Sequence, residues 1–168
     1  MGCIVGRHKH GKRSARLLRN HPSFTFLKDR IGADYLECLG LVITAHESYY
    51  NLQHIEEAPY HMNIRHKFLC AFFRLLDGCE INSSRNSEAL YNILKSHKKL
   101  KTESLKHWES HRAIISLVFD RNEIVIRYNN KTKASFQTKH LEDELQKIND
   151  VFRSQHIPEL TVRLVKST

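Results

Sequence analysis

The stretch IRHKFLCAFFRLLDG, residues 64–78, decides how the chain is read. Ile64, Phe68, Ala71, Phe72, Leu75 and Leu76 recur at the spacing of one helix face, and Asp77-Gly78 is expected to stop that helix. A helix with so broad an apolar face must be buried against other helices. The carboxylate of Asp77 would then project from its end.

Upstream, two segments supply partners. Arg7 to Arg19 is rich in helix formers, with Ala15, Leu17 and Leu18 as an inward stripe and His10 and Ser14 on the face of Leu17 and Leu18. Asn20-His21-Pro22-Ser23 breaks it, Ser23 is expected to cap a short turn through Phe24, Phe26 and Leu27, and Gly32 ends that turn. Asp34 is expected to cap a further helix, in which Tyr35, Leu36, Leu39, Val42, Ile43 and Ala45 are apolar at helical spacing and His46 arrives at the C-terminal end. Ser48 to Met62 reads as a loop, placed to serve as a lid or specificity element. Ser87 to Lys95 reads as one more amphipathic helix, followed by a basic run from His97 to Lys101.

The last third changes character. Ala113 to Phe119 and Ile124 to Tyr128 are β-branched and alternating, with turn chemistry at Asp120-Arg121-Asn122, which predicts a hairpin. Leu141, Leu145, Ile148, Val151 and Phe152 mark an amphipathic helix, and Leu160, Val162 and Leu164 a final strand. The expectation is an α+β, mainly α chain: a helical core over 7–94, a basic linker or helix over 95–111, and a small β-β-α-β tail over 112–168.

At 168 residues, with 40% hydrophobic and 27% charged residues, the chain is neither disordered nor fibrous in composition. No apolar run approaches the ~20 residues that span a bilayer, so no membrane partner and a cytoplasmic location are expected. Met1-Gly2-Cys3 begins like a myristoylation signal, but Gly6 stands where Ser or Thr is required. Cys3, Cys38, Cys70 and Cys79 lack metal-knuckle spacing and read as reduced thiols. Lys and Arg number 27 against 18 Asp and Glu, and the net charge of +9 favours an anionic partner such as a nucleotide or nucleic acid. Of the 12 histidines, His8, His21, His54, His61, His66, His97 and His140 read as surface or capping residues.

His10, the His46-Glu47 pair and Asp77 stand apart because each falls at the end or first turn of an expected helix. Imidazole and carboxylate from three rigid elements suit one divalent metal, Mn, Fe, Zn or Mg. Such a site acidifies water and polarises a phosphoryl oxygen, which suits phosphoester hydrolysis with Glu47 as ligand or base. Taken singly, the same residues have plainer uses: His46 as a helix C-cap, Asp77 paired with Arg74 or Arg85, His10 exposed. Arg13 and Arg74 match phosphate oxygens as guanidinium forks, and Arg85 reads as an ion-pair partner. Lys98, Lys99 and Lys101, with Lys95 and Lys106, form a candidate polyanion contact or a solvated helix end.

The order of His10, His46-Glu47 and Asp77 resembles the H…HD…D signature of the HD phosphohydrolase superfamily, with Glu in place of the doublet's Asp. The stretches HGKRSARLL (10–18), LGLVITAH (39–46), FLCAFFRLLDGCEINSSR (68–85) and LKHWESHRAIISLVF (105–119) resemble, more closely, the HD-type domain that bacterial conflict and defence proteins often carry ahead of an Hsp/gyrase-type ATPase. The resemblance covers about Arg7 to Val165. It implies an HD-like core in which His10, His46 and Asp77 are metal or phosphate-site residues, Arg13, Ser14 and Arg74 line the same cavity, and Trp108 belongs to the junction with the tail. It also implies a protein partner such as that ATPase, with a homo-oligomer open. Because Glu47 reaches one methylene further than Asp, one ion is expected, not two. A metal-dependent phosphohydrolase is the first reading. The alternatives are a catalytically inactive HD-like module that senses a ligand or docks a partner, as a stand-alone, split or truncated form, and nucleic-acid binding without turnover.

Overall fold

Helical spacing in the first two thirds and alternation near the end resolve, in a computed structural model, into helices followed by a small sheet. The structure describes residues 10–56, 63–81, 87–97 and 101–167. Among them are α1 (His10–Asn20), α2 (Thr25–Ile31), α3 (Ala33–Ala45), α4 (His66–Cys79), α5 (Glu88–Ser96), α6 (Thr102–Ala113), β1 (Ile114–Asp120), β2 (Glu123–Tyr128), α7 (Lys131–Ser154) and β3 (Thr161–Lys166). This is the expected mainly helical α+β fold. The chain divides into two compact units, Met1–Asp77 and Gly78–Thr168. No described helix is long and apolar enough to cross a membrane.

In the first unit α1 packs on α3 and α2 also rests on α3. Small residues let α1 and α3 approach closely: Gly11 and Ala15 are buried on one helix, Gly40 and Ala45 on the other. The Arg19 guanidinium lies over Gly40, where a Cβ would stand 2.7 Å from it, and donates to Glu37 at 2.7 Å. Leu18 joins this interface, but Leu17 is 53% exposed, so the inward stripe of α1 is narrower than its composition predicts. Two caps also differ. His21, not Ser23, caps the short 3-10 turn at Pro22–Phe24, its Nδ1 accepting from the Ser23 amide. Asp34 sits inside the first turn of α3, with Gly32 preceding the helix.

Helix α4 does not stop at Asp77-Gly78. It continues to Cys79, because Gly78 keeps helical geometry beside Leu141, where an added Cβ would find ordinary contact at 3.4 Å. Its buried face is Cys70, Ala71, Arg74 and Leu75, whereas Leu69, Phe72, Phe73 and Leu76 are each half-exposed. The face is rotated from the one the hydrophobic spacing marks, because the buried Arg74 has its own polar partners, described below.

In the second unit Ser87 caps α5 through the Leu90 amide, and Tyr91 of α5 stacks on Trp108 of α6 at 5.9 Å. The hairpin pairs Leu117 with Ile126 and Phe119 with Ile124, with a register shift between Ile114 and Ser116. Arg121 makes its turn at φ 53°. β2 is central, antiparallel to β1 and parallel to β3. A parallel neighbour needs a crossover, which α7 provides. Asn130 caps α7 by accepting from the Lys133 amide at 3.1 Å. At the far end the Asn149 side chain donates to the Leu160 carbonyl at 2.8 Å and accepts from the Leu160 amide at 2.9 Å, fixing the entry into β3. Ile114, Ile124, Ile126, Ile148 and Val151 are fully buried and form the core.

Candidate metal centre

The first turn of α1 meets the last residues of α3. His10 Nε2 lies 2.8 Å from His46 Nε2, with the rings edge to face at 4.7 Å. His46 closes α3 as its C-cap, and its Nδ1 engages the Ile43 carbonyl. A carbonyl can only accept, so Nδ1 carries the proton and Nε2 of a neutral His46 presents a lone pair. His10 therefore donates through Nε2–H. The capping use of His46 and a ligand use are compatible, since they employ different nitrogens of one ring.

Glu47 is 6% exposed. Its Oε1 accepts the Gly11 backbone N–H and lies 3.7 Å from His10 Nδ1, the nitrogen opposite the one facing His46. Burial opposes ionisation of this carboxyl, but the Tyr49 hydroxyl, the Gly11 amide and the imidazoles of His10 and His46 together hold it below the ordinary glutamate range. Reciprocally, burial and the hydrogen bond to Glu47 push the Tyr49 phenol up to about 12. Glu47 is thus an ionised carboxylate on the Nδ1 side of His10.

Gly11 is where the two segments touch. A Cβ there would stand 2.4 Å from the Ile43 carbonyl oxygen, 2.8 Å from Glu47 Oε1 and 3.1 Å from His46 Cε1. No side chain fits. Arg74, 2% exposed, donates to the Tyr50 carbonyl at 2.8 Å and the Ser48 carbonyl at 2.6 Å, and so holds the loop that leaves Glu47 and carries Tyr49. A guanidinium engaged this way positions the loop. Phe73, one residue earlier on α4, places its ring 6.0 Å from that of His46.

The structure brings together His10, His46 and Glu47. Asp77 lies exposed in the last turn of α4, four residues and so one helical turn beyond Phe73. Among the described residues no three His, Cys, Asp or Glu side chains form a group able to hold a metal. Arg13 and Ser14 are exposed on α1, and Lys101 is exposed just before α6. Lys98 and Lys99, like Arg85, lie outside the described residues. Sequence reasoning passed over Gly11 and Tyr49. A glycine in the first turn of a helix, beside a candidate histidine, carries a propensity cost of about 1 kcal/mol that calls for a reason; nothing comparable marks Tyr49.

Two imidazole nitrogens on a tetrahedral ion, each ~2.0–2.1 Å from it, stand about 3.3 Å apart. The His10 and His46 nitrogens need to open by only ~0.5 Å to admit one. The spacing of the two nitrogens is thus close to that of a pair of imidazole ligands, while two donors alone do not complete a metal's ligand set.

A family model described as HD-CE matches residues 4–155. No curated protein and no solved structure matches the chain.

Proposed function

The chain belongs to the HD-CE family, and on that premise we propose that it is a metal-dependent phosphohydrolase acting on a nucleotide or nucleic-acid phosphoester. The observation that carries the reading is the 2.8 Å approach of His10 Nε2 and His46 Nε2, with His46 Nδ1 held on the Ile43 carbonyl. His10 and His46 would be the imidazole ligands. Asp77, on the same helix as the Phe73 ring that meets His46, would be the carboxylate ligand, as the family resemblance implies. A divalent ion there supplies a Lewis acid for a phosphoryl oxygen and a more acidic water.

The remaining work falls to the chain's own groups. Glu47 would keep His10 oriented from the Nδ1 side of its ring. Gly11 locks the first turn of α1 against Glu47. Arg74 steadies the 48–50 loop, and Arg13 and Ser14, exposed on α1, would contact a phosphate approaching the imidazole pair.

Elemental analysis of purified protein, before and after incubation with Mn, Fe, Zn or Mg, tests the reading together with hydrolysis of nucleotides and single-stranded nucleic acid. About one ion per chain, lost in His10→Ala and His46→Ala along with activity, is expected. Protein that takes up no ion and cuts nothing would overturn it. A second reading, an inactive HD-like module for sensing or docking, draws support from the lack of a three-ligand group among the described residues. It predicts a fold stable in chelator and unchanged partner binding in His46→Ala.

A further inference from the structure

We propose that the second unit carries a separate anion site, a pocket for a small phosphomonoester of mononucleotide size, at the junction of α5, α6 and the start of α7. The site is an open cleft of about 420 Å3, within the range of small-ligand sites. Tyr91, Lys95, Glu109, Arg112 and Lys133 line it, together with Asn129 and Asn130 at its rim. None of these belongs to the imidazole site, and the inference does not rest on the proposed hydrolysis.

The cations are already arranged. Arg112 is pinned between Glu88 at 2.7 Å and the Tyr91 ring at 4.6 Å. Lys95 Nζ lies 5.4 Å from the same ring. Glu109 accepts from the Tyr91 hydroxyl at 3.1 Å and holds Lys133 Nζ at 3.4 Å. Side chains held in this way lose little freedom on binding. Three cations face two carboxylates, Glu88 and Glu109, so one positive charge remains. The N-terminus of the 24-residue α7 adds to it, its first turn containing Lys131 and Lys133 and no acidic residue.

The excess of charge is modest and the walls are polar, which suits one phosphoryl group on a hydrogen-bonding body. Lys95, Arg112 and Lys133 would take the phosphate oxygens. The amides of Asn129 and Asn130 would meet hydroxyls or a base edge.

Calorimetric titration of the full chain with inorganic phosphate and with adenosine monophosphate tests this. Binding in the micromolar to roughly millimolar range is expected, weaker by about tenfold for each cation removed in Lys95→Met and Lys133→Met, and unaffected by His10→Ala. Lys95 and Lys133 are exposed, so neither substitution threatens folding. No binding near millimolar ligand, or binding that survives the lysine substitutions but is lost in His10→Ala, would overturn the assignment.

Discussion

Within each of the two units, the contacts that set the geometry differ. In the second, isoleucines and valine from two strands and the long helix are wholly withdrawn from water, and the buried polar groups Ser110 and His111 of α6 are bonded to Gln137 of α7 beside that apolar core. In the first, Leu36, Val42, Leu52 and Leu75 are buried but Leu17, Phe26, Tyr35 and Leu76 are about half-exposed, and several of the contacts between segments are polar: Gly11 on Glu47, His10 on His46, Arg74 on two carbonyls. Apolar burial is non-directional and tolerates small shifts, whereas hydrogen-bonded clusters demand particular atoms. A unit whose geometry is set by such a cluster is suited to placing imidazoles accurately, at the cost of sensitivity to single substitutions.

The comparison can be broken at its strongest point. Ile126→Ala in the fully buried centre of β2 should cost about 4 kcal/mol in urea unfolding, the cavity penalty of a core aliphatic. Gly11→Ala should cost about 3 kcal/mol although it adds one methyl, because a backbone carbonyl and a buried carboxylate stand where the methyl must go. Loss of amide protection in α1 and α3 would be its signature in hydrogen exchange; a neutral outcome would mean that the polar contact between these helices is not what holds them. Arg74→Met should cost about 2 kcal/mol by leaving the Ser48 and Tyr50 carbonyls without those donors. Asn130→Ala should cost about 1 kcal/mol as a lost cap.

Acid sharpens the contrast further. The folded-state pKa of Glu47 is depressed, so its contribution is fully present above the ordinary glutamate range and lost as pH falls through the lower folded value. Glu47→Gln should therefore be less stable than the parent near neutrality, and the gap should close on acidification. A gap independent of pH would argue against an ionised Glu47.

Much of this architecture was legible from spacing. The hairpin, its turn at 121–122, the α7 stripe and the final strand follow from period-two and period-3.6 patterns that packing then obeyed. The helix ends were less legible, since Ser23, Asp34 and Gly78 all have the chemistry of caps or stops and the tertiary surroundings used none of them so. The buried face of α4 was misjudged because an arginine in an apolar helix looks like a surface residue until its carbonyl partners are known. The His10, His46 and Glu47 cluster was legible as a set of residues. Its internal division, two imidazoles facing each other and a carboxylate behind one of them, was not, because it depends on which nitrogen each partner meets. Asp77 shows the same limit: its place on α4 was readable, its reach was not.

The Asn149 clasp has a chemical consequence. Its amide imitates a peptide group, giving and taking one hydrogen bond at Leu160, and it does so just before a strand that no tight turn can align. Exchanging its nitrogen for oxygen, as in Asn149→Asp, would set a carboxylate against the Leu160 carbonyl and convert an attraction into a repulsion. The entry into the third strand, whose register its pairing with β2 maintains, thus depends on one amide nitrogen 12 residues before β3 begins.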